Sequence, residues 1–177
     1  QHGHIAAVGF DLYTKLLAEA VAELQGEPAT TAVEPVISVG VEGFLPEAYV
    51  PEVNQRLAFY KRLAGADSEA AIADLRAELA DRFGPPPAEV ERLLDVIRLR
   101  VAARRLGLER VEAGAGRVLL TFAPSTPVTP ERLVQVIGRI GGRLTMKREF
   151  TLEGRIATGP WPAVRDSLLA LLAEFGR

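Results

Sequence analysis

Glu78 and Asp81, two carboxylates three residues apart, are the residues whose type and spacing point most directly to chemistry. In a helix that interval puts both side chains on one face. Such a face can accept a forked guanidinium from another surface, which is charge-assisted recognition rather than catalysis. The spacing has a second reading: Arg82, four residues after Glu78, can pair with it on a solvated face for a few tenths of a kcal/mol. Spacing alone leaves both readings open. The segment AELADRFGPPP around the carboxylates closes an amphipathic helix with Gly84 and forbids its continuation with Pro85, Pro86 and Pro87.

No catalytic constellation stands elsewhere. His2 and His4 are the only histidines, and an H-x-H pair without a third ligand does not make a zinc site. The absence of cysteine excludes disulfides and thiol catalysis. No glycine run matches a phosphate-binding or dinucleotide loop; Gly138, Gly141 and Gly142 only end a helix. There is no nucleophile elbow and no Ser/His/Asp arrangement. The reading is a non-enzymatic chain with no cofactor and no metal of its own. Arginines at 98, 100, 104 and 105 offer a second binding chemistry, with Arg98 and Arg105 as candidate phosphate contacts on a DNA-binding accessory helix. Glu89, Glu91 and Asp95 dilute that charge, and a charged helix face is ordinarily just solvated.

The 177 residues suffice for one ordinary domain, or one with an appendage, and 48% hydrophobic residues support a core. Charged residues make up 25%, the globular average, and a net charge of −2 exerts no global pull toward nucleic acid or membrane. No apolar run approaches the length of a membrane span and no signal peptide is seen, so a cytoplasmic protein without membrane partners is expected. The chain starts at Gln1, and its one methionine is Met146. A fragment of a longer protein, or a processed one, is the expectation.

The elements that must position these residues follow from apolar periodicity. Residues 1–9 read as a loop and Phe10 to Gln25 as a helix stopped by Gly26. Residues 27–34 read as a linker. Val36, Ile37, Val39 and Val41 form a short β-branched run, read as a strand. A helix from Pro51 to Ala64 buries Val53, Leu57, Tyr60 and Leu63. Asp67 or Ser68 caps the next, 68–83, with Ile72, Leu75, Leu79 and Phe83 on its stripe and Glu78 and Asp81 off it. A long helix, 88–106, buries Val90, Leu93, Leu94, Ile97 and Val101. Strands at 110–113 and 117–122 follow. Thr129-Pro130 opens a helix through Leu133, Val136, Ile137 and Ile140. Strands over 143–150 and 155–158 flank a turn at Glu153-Gly154, and a last helix from Pro160 buries Trp161, Val164, Leu168, Leu171 and Leu172. The order predicts an α+β fold, helix-rich at first, then a small mixed or antiparallel sheet with flanking helices.

Two separated blocks resemble one family, the bacterial transcription-repair coupling factors. QHGHIAAVGFDLY, Gln1 to Tyr13, is similar to the end of their translocation motif. Tyr49-Val50-Pro51, RLAFYKRLA at 56–64, ELADRFG at 78–84, Leu99-Arg100 and Leu106-Gly107-Leu108 resemble their C-terminal domain, in the family's order and spacing. The likeness covers about residues 1–122. It implies a plan of translocation-motif tail with linking helix (1–26), linker (27–34) and C-terminal regulatory domain (35–177). Gln1, Gly3 and Gly9 match the motif's tail, which couples ATP hydrolysis to movement on DNA and is inert when cut from its motor. The parent implied is an ATP- and magnesium-dependent translocase on double-stranded DNA that displaces stalled RNA polymerase and recruits the UvrA repair ATPase. The C-terminal domain is implied to mask the parent's N-terminal UvrA-binding module, and Glu78 and Asp81 match the acidic residues of that contact. Such a clamp must open, so a coupling of about 1–3 kcal/mol is expected.

Overall fold

A computed structural model describes residues 34–176. The translocation-motif residues Gln1, Gly3 and Gly9, His2 and His4, the helix read over 10–25 and all but the last residue of the linker fall outside them. The region expected as one module, 35–177, comprises two compact units: residues 42–98, and residues 34–41 with 99–176.

The first unit is helical. Its helices are α1 (Val53–Ala64), α2 (Glu69–Phe83) and the N-terminal part of α3 (Ala88–Arg105). Ser68 caps α2, its Oγ accepting from Ala71 N at 3.3 Å. At the other end Gly84 takes φ +85° and its N–H donates to Ala80 O at 3.0 Å. That backbone geometry suits glycine, and the prolines beyond it stop the helix. The Pro87 carbonyl starts α3 by accepting from Val90 N and Glu91 N, both at 3.0 Å. The core consists of Leu45, Val50, Phe59, Leu63, Ile72, Leu75, Leu79, Val90, Leu93, Leu94 and Ile97.

The α1 stripe is rotated from its expected position. Val53 is exposed and Leu57 half-buried, whereas Arg56 and Phe59 are buried with Tyr60 and Leu63. The cause lies in the preceding segment. Arg56 Nη1 donates to Val50 O (2.6 Å) and Pro51 O (2.8 Å), and the Tyr60 hydroxyl accepts from Leu45 N (2.8 Å). These bonds turn the face of α1 carrying residues 56, 59, 60 and 63 inward. The Tyr49 hydroxyl then ties the same segment to the end of α2 by donating to Gly84 O at 2.8 Å.

The second unit is a five-stranded sheet with helices. Its strands are β1 (Val36–Ser38), β2 (Leu108–Gly114), β3 (Arg117–Phe122), β4 (Leu144–Arg148) and β5 (Thr151–Arg155), in the order β1-β2-β3-β5-β4. β1 runs parallel to β2, and all other pairs are antiparallel, so the sheet is mixed and the α+β expectation holds. Val118, Leu120 and Phe122 alternate into the core with Val111, Leu144 and Leu152. Helices α4 (Pro130–Ile140) and α5 (Trp161–Gly176) add Val136, Leu168, Leu172 and Phe175. Thr129 caps α4 as expected, accepting from Arg132 N at 3.2 Å. Trp161, Val164 and Leu171, expected to be buried, are half-buried.

The last hairpin departs from the reading. The turn falls at Glu149-Phe150, and Glu153-Gly154 lies inside β5, while residues 156–158 are not a strand. Gly154 is a packing glycine. A Cβ there would stand 3.1 Å from Val118 Cγ1 and 3.2 Å from Leu144 Cδ1, in the filled centre of the sheet's core face.

Candidate functional site

Glu78 lies near the C-terminal end of α2 with its carboxylate between two arginines. Arg62 of α1 donates to Glu78 Oε2 at 2.6 Å, and Arg82, one turn on, donates to Oε1 at 3.1 Å. Both guanidiniums also lie over Phe59, each 5.4 Å from the ring centroid, and Arg82 lies 5.2 Å from that of Phe83. The rings pack together, Phe59–Phe83 at 6.0 Å and Tyr49–Phe83 at 5.8 Å. Aromatic faces attract the cations and keep them near the carboxylate. The Arg62 hydrogen bond, with Arg82 behind it, holds the Glu78 carboxyl below its ordinary range, and the same bond raises Arg62.

Asp81 is exposed and forms no ion pair or hydrogen bond among the described residues. The two carboxylates are therefore not equivalent. Asp81 is free to receive a cation, whereas Glu78 is already held inside the unit. The pairing of Glu78 with Arg82 follows from the i,i+4 interval. Arg62, 16 residues upstream, was missed; Lys61-Arg62 at the end of α1 was its only trace in the sequence.

The arginine-bearing helix is also committed. Arg98 donates to Glu69 (2.8 Å) and Asp95 (2.8 Å), with its side chain 20% exposed. Arg100 and Arg104 both grip Glu34, Arg104 Nη2 reaching its Oε1 at 2.9 Å. Arg105 is exposed but also has an interaction. Arg98, a candidate phosphate contact, braces α3 to α2 in the first unit, and Arg100 and Arg104 fasten the strand entry at Glu34 in the second.

Among the described residues no group of three or more histidine, cysteine, aspartate or glutamate side chains could hold a metal, and no helix is long and apolar enough to cross a membrane. At the α1–α2 surface the geometry is that of an ion-paired carboxylate, Glu78, one helical turn from an exposed one, Asp81. The family model of the TRCF domain matches residues 39–133, more than half of the chain. The chain belongs to the TRCF domain family. Its curated relatives include the transcription-repair-coupling factor of Myxococcus xanthus, 36% identical over 159 residues. The Escherichia coli (strain K12) protein of the same name is 35% identical over 142 residues. These alignments take in 90% and 77% of this TRCF-domain chain but only 13% and 12% of the relatives' lengths. Among solved structures, the C-terminal domain of a transcription-repair coupling factor superposes with a TM-score of 0.69 at 17% identity, covering 80% of this chain and 91% of that one. That likeness establishes a shared fold.

Glu34 gives this TRCF-domain chain an acid-sensitive fastening. Burial pushes its carboxyl up, but the hydrogen bonds and charges of Arg100 and Arg104 outweigh burial and hold it below the ordinary 4.5. A carboxyl depressed in the fold stabilises at pH above its unfolded value, and that contribution fades as pH falls through the folded one. Glu34→Gln should therefore cost about 1 kcal/mol at neutral pH, since Glu34 is half exposed. It should also flatten the loss of stability below about pH 4.5 in urea titrations.

Proposed function

We propose that this chain is a non-catalytic regulatory domain of a transcription-repair coupling factor, one that masks the parent's N-terminal UvrA-binding module. The parent would be a cytoplasmic ATP- and magnesium-dependent translocase on double-stranded DNA that displaces stalled RNA polymerase and recruits UvrA, with its motor outside this fragment. The observation that carries the reading is the unequal carboxylate pair on the α1–α2 surface. Asp81 is open to an incoming arginine, and Glu78 is reachable only by exchange with Arg62 or Arg82. A contact made partly by exchange gains less than one made by free charges. That suits a clamp which has to release, where about 1–3 kcal/mol of coupling is typical.

The test is binding of this chain to the separately produced N-terminal module. Glu78→Ala with Asp81→Ala should weaken it about tenfold or more while urea unfolding stays nearly unchanged, because both groups are near the surface. Arg62→Ala should act oppositely, leaving Glu78 held by Arg82 alone and tightening the complex several-fold. Undiminished binding by the double variant would remove the assignment of the carboxylates. Weaker binding by Arg62→Ala would show that Arg62 contacts the partner itself.

A further inference from the structure

The least explained part of the second unit is the β4–β5 corner. Phe150 sits in the turn with φ +57°, a left-handed conformation that an aromatic residue rarely adopts. Its carbonyl accepts the Phe122 N–H at 2.7 Å, which pins the turn. The strained residue gains little burial in return, being 39% exposed. Glycine would occupy the position at ease. Strain combined with an exposed aromatic ring is a reason to look for a use beyond the fold.

Phe150 lines an apolar cavity of about 580 Å³ together with Phe122, Val128, Leu133, Met146 and Leu152. Met146 is 51% exposed at its rim. Met146 belongs to β4, which ends the strand order, and among the described residues no strand pairs with its outer edge. Leu144 and Met146 stand opposite Gly154 and Leu152 on the core face; Thr145 stands opposite Glu153 on the other. A bulge follows Met146, and Lys147 reaches Glu153 at 3.2 Å, which places it on Thr145's side. The edge segment 143–148 carries Arg143, Lys147 and Arg148, a net positive stretch even with Lys147 paired to Glu153 and Glu149 following in the turn at the cavity wall.

We propose that the β4 edge and the cavity beside it bind an extended segment of a partner protein whose side chains alternate between acidic and apolar. A strand added to an edge continues the two-residue alternation of the sheet. On the core side its residues meet Met146, Phe150 and the cavity, and must be apolar. On the other side they meet cations, and must be acidic. A second copy of β4 is disfavoured, because pairing like with like lays cation against cation. The bulge keeps the backbone ladder short, so the apolar anchor in the cavity carries much of the affinity.

The probe is a fluorescein-labelled synthetic peptide alternating glutamate and leucine around a central phenylalanine, titrated with the whole chain in a polarisation assay. Saturable binding is expected, with the same composition rearranged into an acidic block and an apolar block at least about tenfold weaker. Methylating one alternating set of the peptide's amide nitrogens should weaken binding about tenfold, and methylating the other should leave it intact. Phe150→Gly should raise the melting temperature by about 2–4 °C as the strain is released, and at the same time loosen the peptide about tenfold or more. Lys147→Glu with Arg148→Glu should loosen it similarly. Equal binding of the block peptide, equal harm from both methylated sets, indifference to Phe150→Gly, or no binding up to about 1 mM would each overturn the proposal.

Discussion

Gly43→Ala should destabilise the protein by about 3 kcal/mol, the upper end of what forcing extra volume into packed structure ordinarily costs. A Cβ on Gly43 would stand 2.3 Å from Leu93 N, 2.4 Å from Leu93 Cα and 2.8 Å from Arg92 C. All three are main-chain atoms in the middle of α3, so no rotamer change relieves the clash. The close approach is fixed next door by Phe44 N donating to Glu89 O at 3.2 Å. Adding one methyl must therefore push the segment before α1 away from α3, and with it Leu45, which is buried. Urea unfolding should show a lower midpoint with an unchanged slope, since the same surface is still exposed on unfolding. A loss well under 1 kcal/mol would mean that the segment can slide along α3 without penalty.

Nothing in the sequence around Gly43 announces that contact, and the contrast with neighbouring elements is instructive. The α2 helix was legible because its information is local: a serine cap, an apolar stripe at 72, 75 and 79, and a glycine with three prolines after it. The Glu78–Arg82 pair was legible for the same reason. Arg62, Glu69 and Glu34 were not, because each meets its partner across 16, 29 or at least 66 residues, and charge carries no periodicity to betray the pairing. In sequence the arginines of α3 therefore look like one charged face, whereas Arg98, Arg100 and Arg104 are each paired within their unit. Gly154 misled in the opposite direction. Glu153-Gly154 has the chemistry of a turn, yet the glycine lies within a strand with side chains packed closely against it, and the real turn uses Phe150, a residue no turn preference would select.

Arg56→Met should cost about 3 kcal/mol, and its consequences should extend to the proposed docking surface. Arg56 is 6% exposed, and its Nη1 donates to both Val50 O and Pro51 O. Methionine is similar in length and apolar, so packing is largely kept while two carbonyls lose their donor; the buried Val50 carbonyl costs about 1–3 kcal/mol when left unpaired, and the more exposed Pro51 carbonyl less. Lysine brings one compact ammonium in place of the fork and should recover only part of the loss. The effect on recognition is indirect. Arg56 sets the rotation of α1 about its axis, which presents Phe59 to the core and Arg62 to Glu78. If that rotation relaxes toward the Val53 face, Arg62 leaves Glu78, whose carboxyl then titrates closer to its ordinary value. An NMR titration of Glu78 in Arg56→Met should register that upward move, and Arg56→Lys an intermediate one. A variant that loses stability with the Glu78 titration unmoved would confine Arg56 to holding the proline segment.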